Sequence, residues 1–132
     1  LATPEKKITP KKKKAHRLTP HALVYILAGL NNTIVTFTDE GNQTLCWSSS
    51  GSSGFKGTRK STPYAAQTAA KNAAEKAKEY GVEKVSVFVR GVGPGREQAV
   101  RGLIASGLDV GSIADKTSVP HGGCRKRRPR RV

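Results

Sequence analysis

Arg90 to Arg96 (RGVGPGR) sets two guanidinium groups around three glycines, a composition suited to holding an anion. Glycine lets a backbone approach an anion closely, and a helix starting at Arg96 would present unpaired N–H groups and a partial positive charge to it. A tight strand-to-helix turn accounts for the glycines equally well; Arg90 and Arg96 favour phosphate, and Gly93 and Gly95 would be its backbone contacts. Mononucleotide and dinucleotide motifs fit poorly. Gly91 and Gly93 begin a GxGxxG pattern whose third glycine falls at Arg96, and no Gly-Lys-Ser/Thr loop occurs in a strand-to-helix setting. A polymeric phosphate remains. Catalytic groups are sparse by comparison: Asp39, Asp109 and Asp115 read as turn-formers and charge balance rather than a metal-dependent nuclease cluster, and there is no GxSxG elbow. His121 and Cys124 in HGGC could offer two metal ligands, but a closed zinc site needs four, and only scattered His16, His21 and Cys46 could complete it. No catalysis, metal or cofactor is expected.

The distribution of charge points the same way. Residues 1–21 hold seven Lys or Arg, among them Lys11, Lys12, Lys13, Lys14 and Arg17, against the single acid Glu5. Residues 121–132 hold six, Arg125, Lys126, Arg127, Arg128, Arg130 and Arg131, against none. Of the net +15, residues 22–120 carry only +3. Charge blocks of this density repel themselves and stay extended until a polyanion neutralises them, and a nucleic-acid backbone is the natural partner. Neither PKKKKAHR nor CRKRRPRRV has the apolar face that a membrane-surface helix requires, and no apolar run nears the roughly 20 residues that span a bilayer. Cys46 and Cys124 lack CxxC spacing, so a reducing compartment is the default and no disulfide framework is expected. The chain begins at Leu1 and has no methionine, which predicts either trimmed residues or a removed presequence.

The length predicts one domain with arms: a basic extension over 1–21, a core over 22–120 and a basic tail over 121–132. Ala22–Ala28 (ALVYILA) is an apolar run read as a strand, although a short helix would also fit its periodicity. Asn32–Thr38 alternates as a half-buried strand, 39–42 supplies turn residues, and Leu45–Ser48 returns as a third antiparallel strand. Ser48–Ser61 (SSSGSSGFKGTRKS) is predicted to be disordered or ordered by a ligand, with Lys56, Arg59 and Lys60 as its cations. Thr62 and Pro63 then cap and start a helix running to about Tyr80 and stopping at Gly81, with small Ala66, Ala69, Ala70, Ala73, Ala74 and Ala77 on its inner face. Val82–Val89 alternates as a strand, Arg96–Ser106 forms a second helix closed by Gly107, and Leu108–Ala114 is a last strand parallel to it. The result is an α/β fold: one mixed five-stranded sheet and two main helices, with basic N- and C-terminal extensions.

Four stretches in unbroken order, NNTIVTFTD, WSSSGSSGFKGTRKSTPYAAQTAAKNAAEKA, VRGVGPGREQAVRGLIASGLDV and VPHGGCRKRRPRRV, resemble the bacterial-type family of ribosomal small-subunit protein eleven. The resemblance spans roughly residues 20–132 and rests on GFKGT, TPYAAQ, GPGRE and the PHxGC basic tail together. It implies a fold similar to the ribonuclease H-like motif without nuclease activity. It also implies a place on the small-subunit platform, bound to small-subunit ribosomal RNA near the messenger exit and beside neighbouring ribosomal proteins, with mRNA close by. Carried onto this chain, the RNA-contacting positions are the N-terminal arm, Asn31 and Asn32, the loop from Phe55 through Lys56, Gly57, Thr58, Arg59 and Lys60, the turn with Arg90, Gly93, Gly95 and Arg96, and the tail from His121, Gly122 and Gly123 onward. The asparagines rest on the resemblance, since turn formation alone would explain them. A bacterial cytoplasm and, after presequence removal, a mitochondrion or plastid are both open locations. Two departures stand out: Gly122 replaces the family's usual Asn, removing an Asn-Gly step prone to isoaspartate formation, and CRKRRPRRV lacks the proline pair often found after CR.

Overall fold

The computed structural model describes residues 18–132; Lys11, Lys12, Lys13, Lys14 and Arg17 lie outside the described residues. The elements are β1 (His21–Ala28), β2 (Thr33–Thr38), β3 (Thr44–Ser49), α1 (Pro63–Lys78), β4 (Lys84–Arg90), α2 (Arg96–Ala105) and β5 (Asp109–Asp115). They form a single α/β domain whose sheet runs in the order β3-β2-β1-β4-β5. β1 pairs antiparallel with β2, and β2 with β3, while β1 with β4 and β4 with β5 are parallel. The mixed sheet follows from the connections: short loops return the first three strands as hairpins, whereas each later strand is reached through a helix.

Alternation decides the faces. Ala22, Val24, Ile26 and Ala28 of β1, Val35 and Phe37 of β2, and Val85, Val87 and Val89 of β4 are all buried, most of them in one cluster with the alanines of α1 and with Ala99 and Leu103 of α2. Both helices therefore cover the same side of the sheet. Every one of Ala65, Ala66, Ala69, Ala70, Ala73, Ala74 and Ala77 is fully buried, and these small side chains let α1 approach its neighbours closely. Gly102 of α2 shows how closely: a Cβ there would lie 2.8 Å from the Gln67 carbonyl oxygen and 3.0 Å from Ala70 Cβ. Within this tight contact a larger residue would force the helices apart, at about 1–3 kcal/mol. The opposite face of the sheet, with Leu23, Tyr25 and Leu27 of β1, Ile34 of β2 and Phe88 of β4, carries no helix among the described residues.

Boundaries shift modestly from the sequence expectation. α1 ends at Lys78 and unwinds through a turn to Gly81, and β4 begins at Lys84 because Val82 and Glu83 are spent in the approach, with Glu83 N–H donating to the Pro20 carbonyl at 3.0 Å.

Candidate nucleic-acid interface

Strand register gathers the suspected contact segments at one end of the sheet. Ala28 at the close of β1 pairs with Thr33 at the opening of β2, Ile34 with Ser49 at the close of β3, Leu27 with Arg90 at the close of β4, and Val89 with Asp115 at the close of β5. The loop with Asn31 and Asn32, the 50–62 loop, the 91–95 turn and the root of the C-terminal tail thus share that end. Backbone hydrogen bonds tie them together: Gly93 N–H to the Ala28 carbonyl at 2.9 Å, Ser50 N–H to Thr33 at 3.0 Å, and Lys116 N–H to Val89 at 2.9 Å. Asn32 is partly spent locally, its side-chain oxygen accepting from Thr33 N–H at 2.9 Å.

Acids collect at the other end. Asp39 and Glu40 occupy the β2–β3 turn, Glu79 and Glu83 follow α1, and Asp109 opens β5 in register with Lys84 and His21. Asp39 Oδ1 accepts from Gln43 N–H at 2.8 Å, the turn-forming role its position suggested. Of the acids at the basic end, Asp115 is neutralised, its Oδ2 lying 2.5 Å from Arg96 Nη2. The hydroxyl of Thr117, and then the Arg96 guanidinium, hold its carboxyl well below the usual carboxylate range. Asp39 and Asp109 are thus separated from Asp115 by the length of the strands, and among the described residues no three metal-ligating side chains gather.

The 90–96 turn is built chiefly for packing. Cβ atoms at Gly93 and Gly95 would lie 2.1 Å from the Gly29 carbonyl oxygen and 2.7 Å from Ala66 Cβ, while Gly91 sits at φ 101° against the Ala28 carbonyl. These glycines admit the protein's own backbone and α1. Arg96 donates to the Gly91 carbonyl and bridges to Asp115, so it locks the turn to the end of β5. Glu97 sits in the first turn of α2, complementing the helix dipole from within. Arg90 is exposed, beside Lys116.

The 48–61 segment departs from expectation, being ordered by its own side chains rather than by disorder or a ligand. Ser49 and Ser52 exchange N–H to hydroxyl bonds at 2.9 and 3.1 Å, Ser53 donates to the Ser49 carbonyl at 2.8 Å, and Asn72 of α1 donates to Ser53 Oγ at 2.9 Å. A 3₁₀ turn follows at Gly57–Ser61, and Thr62 caps α1 by accepting from Ala65 N–H. This holds Lys56, Gly57, Thr58, Arg59 and Lys60 in one place, with Lys56 and Arg59 exposed beside Phe55. Tyr64, 69% exposed and edge-on to Phe55 with centroids 5.8 Å apart, joins this surface. Sequence reasoning passed over Tyr64 and Lys116. An aromatic in the first turn of an otherwise small-residue helix was the signal for Tyr64; for Lys116, only its position one residue beyond a basic-end strand could have served.

The tail, with His121, Gly122, Gly123, Arg125, Lys126, Arg127, Arg128, Arg130 and Arg131, has no regular secondary structure and is exposed from Ser118 to Val132. Gly122 takes φ 71°, which Gly and Asn tolerate best, so either residue can make this turn. Cys124 is exposed; Cys46 is half-buried against the Ala73 carbonyl, and burial pushes its thiol up to about 11. No described helix is long and apolar enough to cross a membrane.

Fold and site together define a single α/β domain with small-residue helix packing, carboxylates separated along the strands, and exposed cations on the connections at one end of the sheet. Comparison with known proteins narrows the class. The family model described as ribosomal protein S11 matches residues 22–131. Proteins named small ribosomal subunit protein uS11 from the Lens, Paris and Philadelphia 1 strains of Legionella pneumophila are each 50% identical over 132 residues, covering 100% of both chains. The chain belongs to the ribosomal protein S11 family, whose role is structural and non-enzymatic.

Proposed function

We propose that this chain is an architectural component of a bacterial-type small ribosomal subunit, where it binds small-subunit ribosomal RNA through the basic end of its sheet. The observation that carries the reading is the convergence there of the 29–32, 50–62 and 91–95 connections and the tail, with five of the core's eight acids held at the opposite end. Lys56, Arg59, Lys60, Arg90 and the arginines of the tail neutralise phosphates that would otherwise repel one another, and A-form RNA is met mainly by shape and backbone. The 22–120 core acts as the rigid body and residues 121–132 as the RNA-binding tail. The N-terminal arm is rooted at the acidic end, where Thr19 N–H donates to the Tyr80 carbonyl at 2.9 Å; extensions rooted at opposite ends suit two separate RNA contacts. A platform position near the messenger exit, with ribosomal proteins and mRNA as neighbours, completes the proposal.

The test is cosedimentation with small subunits, combined with binding to small-subunit ribosomal RNA across a salt series. Each engaged phosphate adds about −0.7 to −0.9 to the logarithmic salt slope, so replacing Arg127, Arg128, Arg130 and Arg131 by Ala should flatten it by roughly 3. An unchanged slope would show that the tail touches no phosphate, and equal affinity for duplex DNA would point to a general polyanion binder.

A further inference from the structure

We propose that the helix-free face of the sheet holds an unpaired RNA base against the Tyr25 and Phe88 rings, while Arg90 and Lys116 take the phosphate of the same nucleotide. The idea rests on the RNA-binding reading above and adds to it a stacking site away from the loops. Tyr25 of β1 and Phe88 of β4 are register partners across a parallel pair, with ring centroids 5.4 Å apart and planes inclined by 24°. Together with Leu27 they floor a depression of ≈ 380 Å³ whose rim is Arg90 and Lys116. Tyr25 is 38% and Leu27 47% exposed, a high exposure for large apolar groups set side by side. Lys116 Nζ lies 4.5 Å from the Phe88 centroid, so a cation already sits where a ring and a phosphate would be read together.

Charge complementarity selects the occupant. Both rim groups are cations, and among the described residues neither has an ion-pair partner; the nearby Asp115 carboxylate is taken by Arg96 and Thr117. A protein neighbour would have to bring acids to this rim as well as apolar groups to the floor. A nucleotide carries both parts covalently joined, and aromatic platforms beside a basic groove are how unpaired strands are bound without sequence preference. The rim also lies at the end of the sheet where the basic segments converge, so a strand leaving the depression continues directly onto them.

The experiment compares the full chain binding a short fluorescent oligoadenylate with its binding to an abasic ribose-phosphate chain of equal length. Loss of one stacked base corresponds to roughly a five- to 150-fold weakening, so Tyr25→Leu, which keeps apolar volume on the sheet, should lose at least about fivefold for oligoadenylate and less than about twofold for the abasic chain. Tyr25→Phe should bind both as the parent does, and Lys116→Ala should weaken both. Should Tyr25→Leu bind oligoadenylate like the parent while the four-arginine tail variant is still impaired, the stacking site is overturned, the RNA-binding reading stands, and the face is left to a protein neighbour. A parent that fails to prefer oligoadenylate over the abasic chain overturns the site too.

Discussion

Gly93 and Arg90 stand three residues apart with opposite duties. A side chain at Gly93 collides with the Gly29 carbonyl, so Gly93→Ala should lower stability by about 1–3 kcal/mol, read as an earlier urea midpoint. Arg90→Ala removes an exposed side chain and should leave that midpoint nearly unchanged while weakening RNA binding. If instead Gly93→Ala were as stable as the parent, the packing account of the turn would be wrong. Arg96 shows why a cation near glycines is an ambiguous sign: its partner Asp115 lies 19 residues further on, and only the parallel pairing of β4 with β5 brings the two together. The depressed carboxyl of Asp115 makes the clamp a neutral-pH feature. Its contribution is fully present above the ordinary Asp value of about 3.9 and fades only as pH falls from there towards the lowered native value.

Elements with strong alternation or periodicity were readable directly. β1, β2 and β4 bury every second residue, the α1 alanines fall on one helical face, and Thr62 with Pro63 marks the helix start where the cap is found. Thr62→Ala should cost about 1 kcal/mol, seen as a lower melting temperature, because Ala65 N–H loses its acceptor; an unchanged melt would mean that the cap contributes nothing. The serine loop was not readable. Its order depends on hydroxyls that meet only at the end of β3 and on Asn72, 19 residues from Ser53 along the chain, and composition cannot distinguish serines that bond one another from serines that bond water. The helix-free sheet face was hidden for a related reason, since alternation says that two faces differ and not which one the helices will cover.

At the scale of the whole molecule, the charge of the described residues is uneven along the strand axis. Hairpin return and parallel crossover together place Lys56, Arg59, Lys60, Arg90, Lys116 and the tail at one end, and Asp39, Glu40, Glu79, Glu83 and Asp109 at the other. A sequence records the cations but not this sorting, which appears only once register is known. Such a field orients the core as it approaches a phosphate-rich surface, turning the 29–32, 55–64, 90–96 and tail segments towards it, while the cationic N-terminal arm makes its own, separate contact. Cross-linking the protein to small-subunit ribosomal RNA, followed by mapping of the linked residues, tests this most directly. The account predicts links in 29–32, 55–64, 90–96 and 116–131, and sparse linking in 39–43, 79–83 and 105–109; RNA linked mainly to the acidic end, with the basic end unmarked, would contradict it.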